Sequence, residues 1–371
     1  MIDLTRIRHM LRRMDWALFC TVGALMVLGV LFIYSATWRG DGIPMSPFYK
    51  KQIVWALIGM ALFFLMALTD YHLLGENAWW LYATAMVLLV LVLFLGKEVY
   101  GAHRWLSFFG VQVQPSELAK LAVIVALAKY LSRPGRDMES PQTTAAALLI
   151  MGLPFILILR EPDLGTAAVL LPVVILMLYA VGVPLKTLIF LGVLGLLFLP
   201  VGWFGLDQYQ KKRILVFLDP TTDPLGAGWN KMQSEIAVGS GGLLGKGWLK
   251  GTQNVLGFLP RTVAPNDFIY SVVAEETGFV GSMAVLFLYV FVFAGCFRAA
   301  LAARDAFGRL LCIGVGVMLY VHVMVNIAMT VGLMPITGLP LPLMSYGGSF
   351  MISIMAAMGI VQSVYVRRYR G

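Results

Sequence analysis

The residues able to do chemistry fall in a few short strings. Asp267 stands in FLPRTVAPNDFIYSVVAEETG, where a long loop-like segment meets an apolar run. A carboxylate at such a junction has water on one side and low dielectric on the other. Burial raises its pKa toward the range of a general base. A helix N-cap or first-turn aspartate is the commoner role at such a place, and the sequence leaves both open. Glu275 and Glu276, two turns further on, could form a polar track beside it. Glu117 and Lys120 in QPSELAK are three residues apart and share one helix face. Glu117 sits in the first turn, where the helix dipole favours a carboxylate. The pair reads either as a structural salt bridge or as a charged lining for a lipid head-group cavity. Just ahead of it, GAHRWL carries Arg104, a ligand for anionic groups, and Trp105, an interfacial anchor or a substrate contact.

Other strings read more plainly. Glu161 and Asp163 in REPDLGT are expected to pair with Arg160 and to cap the next helix. His322 and Asn326, one helical turn apart, suit interhelical hydrogen bonds better than catalysis. DQYQKKRILVFL alternates Lys211, Lys212 and Arg213 with an apolar face suited to a membrane surface. GSGGLLGKGW resembles a P-loop only superficially, because Ser240 stands where the first glycine belongs and Gly247 follows Lys246. A backbone nest with Lys246 could still hold a phosphate; tight turns that let loop and helix pack closely fit as well. Cys20, Cys296 and Cys312 each lie in an apolar run and read as small buried hydrophobes. The four histidines form no metal motif.

These groups need a scaffold, and composition names it. The chain has 371 residues, 60% apolar and 13% charged, with a mean hydropathy of +0.83. Ordinary soluble domains are roughly 45–50% apolar and roughly 25% charged. A soluble enzyme, a disordered tail and a collagen-like chain are excluded. Apolar runs near 16–36, 53–69, 78–95, 117–131, 143–159, 164–181, 185–203, 269–297, 310–332 and 344–366 predict about ten membrane helices in one all-α, polytopic domain over 1–371. The first run has no cleavage-site end and reads as a retained span.

An even number of spans puts both termini on one side. That side collects Arg6, Arg8, Arg12, Arg13, Lys129, Arg133, Arg136, Lys186, Arg298, Arg304, Arg309, Arg367, Arg368 and Arg370. The short loops opposite hold only Arg39, Lys50, Lys51, Lys97, Arg104 and Arg160. The excess predicts termini in the cytoplasm. It also accounts for the net charge of +9 without nucleic acid. Residues 204–268 then form one large extracytoplasmic loop, long enough to imply function.

Taken together, the strings are specific. GAHRWL, QPSELAK, EPDLGT, LDPTTDPLGAGWNKMQSEIAVGSGGLLGKGWLKGTQ, NDFIYSVVAEETG and GLPLPLMSYGGS run in this order from the third apolar run to the last. In this the chain resembles the SEDS family (shape, elongation, division and sporulation), its elongation branch above its division branch. The resemblance implies a peptidoglycan glycosyltransferase of the bacterial inner membrane, which polymerises lipid II outside the cytoplasm during cell-wall elongation. The family's essential aspartate falls on Asp267, and its intramembrane acid–base pair on Glu117 and Lys120. Many relatives carry a Glu soon after the Pro and a His-Thr pair before the aspartate. Here those places read Arg261 and Pro265-Asn266, and the stretch is about two residues longer. That puts in doubt a histidine assisting Asp267.

The implied reaction takes a proton from an acceptor hydroxyl while undecaprenyl pyrophosphate leaves the donor. Asp267 is the expected base. Arg104, Lys120, Arg213 and Lys246 are the expected cationic side, with Trp105 and Glu117 completing the substrate-binding set. No cofactor is demanded; a divalent cation could share the role. Implied partners are lipid II, a class B penicillin-binding protein, elongation-complex membrane proteins and membrane lipid. A lipid II flippase is the main rival, but no internal repeat appears and the best carboxylate lies at the outer surface. A non-catalytic scaffold would leave the basic, glycine-rich loop without a purpose.

Overall fold

The computed structural model describes residues 4–38, 47–99, 102–108, 111–260 and 262–369. Arg39, Gly101, Arg261 and Arg370 lie outside the described residues. A basic helix, α1 (Leu4–Arg12), leads into α2 (Trp16–Ala36). At 1.5 Å per residue α2 is about 31 Å long, the thickness of a bilayer's hydrocarbon core. α3 (Phe48–Leu68) runs back, α4 (His72–Glu76) makes one turn, and α5 (Ala78–Leu95) crosses again. Three short strands follow: β1 (Lys97–Val99), β2 (Ala102–Phe108) and β3 (Val111–Val113). Then come α6 (Pro115–Leu131), α7 (Pro141–Arg160), α8 (Leu164–Ala180) and α9 (Leu185–Gly205). The long loop contains α10 (Gln208–Leu218), α11 (Ala227–Ser240) and α12 (Thr252–Val255). α13 (Ile269–Ala302), α14 (Ala306–Thr330) and α15 (Gly348–Val366) complete the chain.

Local chemistry sets these boundaries. Asp15, Ser140, Asp163 and Asp305 each accept a backbone N–H as N-cap of α2, α7, α8 and α14. Pro115 and Pro141 open α6 and α7, where a missing N–H costs nothing. Each of the ten apolar runs is a helix. Among the described residues seven helices are long and apolar enough to cross a membrane, with α8 and the apolar part of α9 shorter. Leu57, Phe94, Leu149, Phe198, Phe287 and Phe297 stand exposed around the bundle. Such a surface would aggregate in water and suits contact with acyl chains. The chain is a multi-pass membrane protein.

α15 is the enclosed centre, flanked by α3, α14, α13 and α6. Its Gly359 lets α3 approach so closely that a Cβ there would lie 2.6 Å from the Phe63 carbonyl oxygen. The ends of α2, α5, α7, α9 and α14 gather at the face opposite the termini. So do the three-stranded sheet, the long loop and a strap, residues 331–347, between α14 and α15.

Two features depart from the all-α expectation or refine it. β1, β2 and β3 form an antiparallel sheet in that order, with Trp105 opposite Lys97 and Leu106 opposite Val113. The strands are too short to show periodicity, so only their pairing defines them. The glycine-rich loop is ordered and docked on α13. Gly278, with φ 66°, breaks α13, and the loop repairs the break. Phe279 N–H donates to the Gly242 carbonyl (2.8 Å) and Val280 N–H to Leu243 (3.1 Å). In return Lys246 N–H donates to Glu275 (3.0 Å) and Gly247 N–H to Glu276 (2.9 Å). Irregular backbone beside a membrane helix is tolerable when every such group finds a partner.

Candidate active site

Asp267 lies between the long loop and α13, half-buried, at the face opposite the termini. Its backbone is held from several directions. Its N–H donates to the Val263 carbonyl (2.9 Å), and its carbonyl accepts from Asn326 Nδ2 (3.0 Å). The two residues before it are gripped by the strap: Tyr346 N–H donates to Pro265 (2.9 Å) and the Ser345 hydroxyl to Asn266. The carboxylate lies beside Gly338 and within the electrostatic reach of Arg213 and Arg104.

Two guanidiniums act on this carboxylate. Arg213 comes from α10, whose start is fixed by a reciprocal Asp207–Gln210 capping box. It donates Nη1–H to the strap's Thr337 carbonyl (2.6 Å) and Nη2–H to the Tyr209 hydroxyl, and lies over the Tyr209 ring. Gly338 separates it from Asp267. A Cβ built there would sit 3.5 Å from Arg213 Nη1 and 3.8 Å from Asp267 Oδ2. Arg104 comes from β2 and donates Nε–H to the Glu161 carbonyl (3.0 Å) and Nη2–H to the Pro162 carbonyl. The turn between α7 and α8 therefore aims Arg104 with backbone alone. Alternation along β2 turns Trp105 to the opposite face.

Electrostatics follow from this crowding. Burial raises the Asp267 carboxyl to about 6, against the pull of Arg213 and Arg104 and with a push from Asp163. Glu161 is fully enclosed, and among the described residues neither of its carboxyl oxygens has a hydrogen-bond partner. Burial raises it to about 9, helped by Asp163 and opposed by Arg104, so it is neutral at pH 7. No ion pair joins Glu161 to Arg160 among the described residues, contrary to expectation. A buried acid gains more from losing its charge than from reaching toward an exposed arginine. Asp163 does cap α8, accepting from Thr166 N–H (3.2 Å) and from Gln114 Nε2 (3.3 Å).

The other candidate cations are engaged by glutamates. Lys120 Nζ is 2.9 Å from Glu117 Oε1, both groups buried. Lys246 Nζ is 2.7 Å from Glu275 and donates to the Thr252 hydroxyl (2.7 Å). Glu276 accepts from the Ser35 hydroxyl. Glu275 and Glu276 thus anchor the glycine-rich loop instead of lining a track to Asp267. Asn326 donates to two loop carbonyls, those of Asp267 and Leu339, where an interhelical hydrogen bond was expected. Thr337, Gly338 and Tyr209 were not singled out from sequence. Gly338 is one of many glycines, and its meaning lies in which chain segments pass it. Among the described residues no three His, Cys, Asp or Glu groups are placed to hold a metal ion.

The family of cell cycle proteins FtsW, RodA and SpoVE matches residues 15–370. The chain belongs to it. Within this FtsW/RodA/SpoVE family, the peptidoglycan glycosyltransferase MrdB of Escherichia coli is 39% identical over 93% of this chain and 91% of its own. The peptidoglycan glycosyltransferase RodA of Treponema pallidum is 35% identical over 95% of this chain and 98% of its own. The crystal structure of RodA from Thermus thermophilus superposes with a TM-score of 0.72 at 33% identity, covering 96% and 98% of the two chains. A chain from a peptidoglycan synthase complex that coordinates polymerization and crosslinking superposes with a TM-score of 0.80 at 34% identity, covering 96% and 99%.

Proposed function

We propose that this FtsW/RodA/SpoVE protein is a peptidoglycan glycosyltransferase that joins lipid II disaccharide units into glycan strands, with Asp267 as the general base. The observation carrying this reading is a half-buried carboxyl, raised to about 6, under the influence of two guanidiniums that backbone carbonyls hold in place. A base of that strength is ionised at neutral pH and still accepts a proton readily. Asp267 takes the proton of the acceptor sugar hydroxyl as its oxygen bonds the donor's anomeric carbon. The carbon–oxygen bond to undecaprenyl pyrophosphate breaks, and the pyrophosphate departs as an anion. Arg104 and Arg213 stabilise the charge that develops on it. Pyrophosphate needs no proton to leave, so one carboxylate suffices where glycosidases use two.

The excess of Lys and Arg on the termini side supports a cytoplasmic placement of that face, with Asp267 on the outer side of the inner membrane. The likeness to a chain of a synthase complex supports a class B penicillin-binding protein as partner, one that would crosslink strands as they emerge. Trp105 suits an interfacial contact to the lipid or the sheet. The test is polymer formation from labelled lipid II by the purified chain, with and without that partner. Wild type should make polymer, and Asp267→Ala should make none while still inserting. Polymer from Asp267→Ala removes the base; no polymer from any form, with translocation in vesicles, would install a flippase instead.

A further inference from the structure

Among the described residues, Glu117 and Lys120 form an ion pair with both side chains buried. Glu117 and Lys120 are 3% and 1% exposed. Glu117 Oε2 accepts from the Ser353 hydroxyl of α15 (3.3 Å), so both ends of the carboxylate are engaged. Lys120 Nζ also lies 2.7 Å from His322 Nε2 on α14, with the Phe350 ring beside both groups.

That contact fixes the state of the imidazole. An ammonium has donors only, so Nε2 must accept and the ring proton must sit on Nδ1. Nδ1 has no well-aligned partner, and the polar backbone beside it is Pro340 of the strap. Proline has no N–H, so the Pro340 carbonyl can only accept, which agrees with a proton on Nδ1. One turn along α14, fully buried Asn326 donates Nδ2–H to both the strap's Leu339 carbonyl (2.7 Å) and the Asp267 carbonyl (3.0 Å). The same strap supplies Thr337 to Arg213 and Ser345 to Asn266.

We propose that the Glu117–Lys120 pair is a positioning device: through His322 and the strap it sets the spacing of Arg213 and Asp267, and it does not touch substrate. His322 and Asn326 are the two pins of that linkage, His322 anchoring the strap to the ion pair and Asn326 anchoring the strap to the base. The part concerning rate rests on the transferase reading; the part concerning the strap does not.

Two variants of the full chain test it. His322→Phe keeps the ring's bulk against Phe350 but removes both the acceptor for Lys120 and the Nδ1–H beside the Pro340 carbonyl. His322→Gln restores an acceptor and a donor on one side chain. In His322→Phe, kcat for glycan polymerisation should fall by about 10- to 100-fold, the cost of small misplacement, with KM within about twofold of wild type. Amide hydrogen exchange should rise across residues 335–347 and stay unchanged elsewhere in the bundle. His322→Gln should recover most of kcat and the protection. Wild-type kcat and strap protection in His322→Phe would overturn the proposal. So would a loss carried by KM, which means direct substrate contact, or His322→Gln behaving like His322→Phe. If no form polymerises but strap exchange responds as stated, the transferase reading fails and the strap linkage stands.

Discussion

Replacing Asp267 with asparagine should make the protein more stable and inactive at once. Burial lifts this carboxyl from its ordinary 3.8 to about 6. Each pKa unit is worth about 1.4 kcal/mol, so holding Asp267 ionised costs the native state about 3 kcal/mol. The sign follows from which state binds the proton more tightly. The native value lies above the unfolded one, so the cost is absent below about pH 4, grows between pH 4 and 6, and is complete above 6. Asparagine has nearly the same shape and no charge to bury. The melting temperature of Asp267→Asn in detergent should match that of wild type near pH 4 and exceed it by roughly 3–6 °C at pH 8. Polymerisation should drop by about 10²- to 10⁴-fold, as expected on losing a general base. Melting curves at pH 4, 6 and 8, run beside a glycan-strand gel, read both arms. A variant no more stable than wild type at pH 8 would refute the burial argument. A variant that still polymerises would refute the catalytic one.

The same carboxyl should give the wild-type rate a limb that rises with pH through about 6, read as kcat/KM for polymerisation between pH 5 and 8. Arg213→Ala should cost about 10- to 100-fold in kcat/KM, the scale of one charge-assisted hydrogen bond, and leave the melting temperature nearly unchanged because the side chain is half-buried and, among the described residues, hydrogen-bonds only to Thr337 and Tyr209. Lys246→Ala should act on the fold, since it strands Glu275, which is 1% exposed. A melting-temperature loss of several degrees, largely reversed in Lys246→Ala/Glu275→Gln, would show that this lysine serves the glycine-rich loop. Glu161→Gln should hold or raise the melting temperature at pH 7, because the carboxyl it replaces is already neutral there.

Much of the architecture is written in the sequence because bilayers read sequence locally. A helix must satisfy its own backbone in hydrocarbon, so an apolar run of sufficient length is a span wherever it sits. The runs at 16–36 and 78–95 are α2 and α5 to the residue. Caps such as Asp163 and prolines such as Pro115 act within one turn and are equally legible. Asp267 stood out for the same local reason, a carboxylate where loop meets span.

What tertiary structure decided is which of several charged residues face that carboxylate. Arg104, Arg213, Lys120 and Lys246 are alike in sequence, each a cation beside an apolar or glycine-rich stretch. Folding holds the first two within reach of Asp267 because the α7–α8 turn and the strap offer them backbone carbonyls. It sends the other two into ion pairs with buried glutamates, where desolvation makes a partner obligatory. Lys120 finds its glutamate within one helical turn, as the spacing in the sequence implies, and only its contact with His322, 202 residues away, needed the fold. The partners of Arg104, Arg213 and Lys246 lie 57, 124 and 29 residues away, and no local pattern encodes them, since they exist only once the helices have packed and left a limited set of partners within reach.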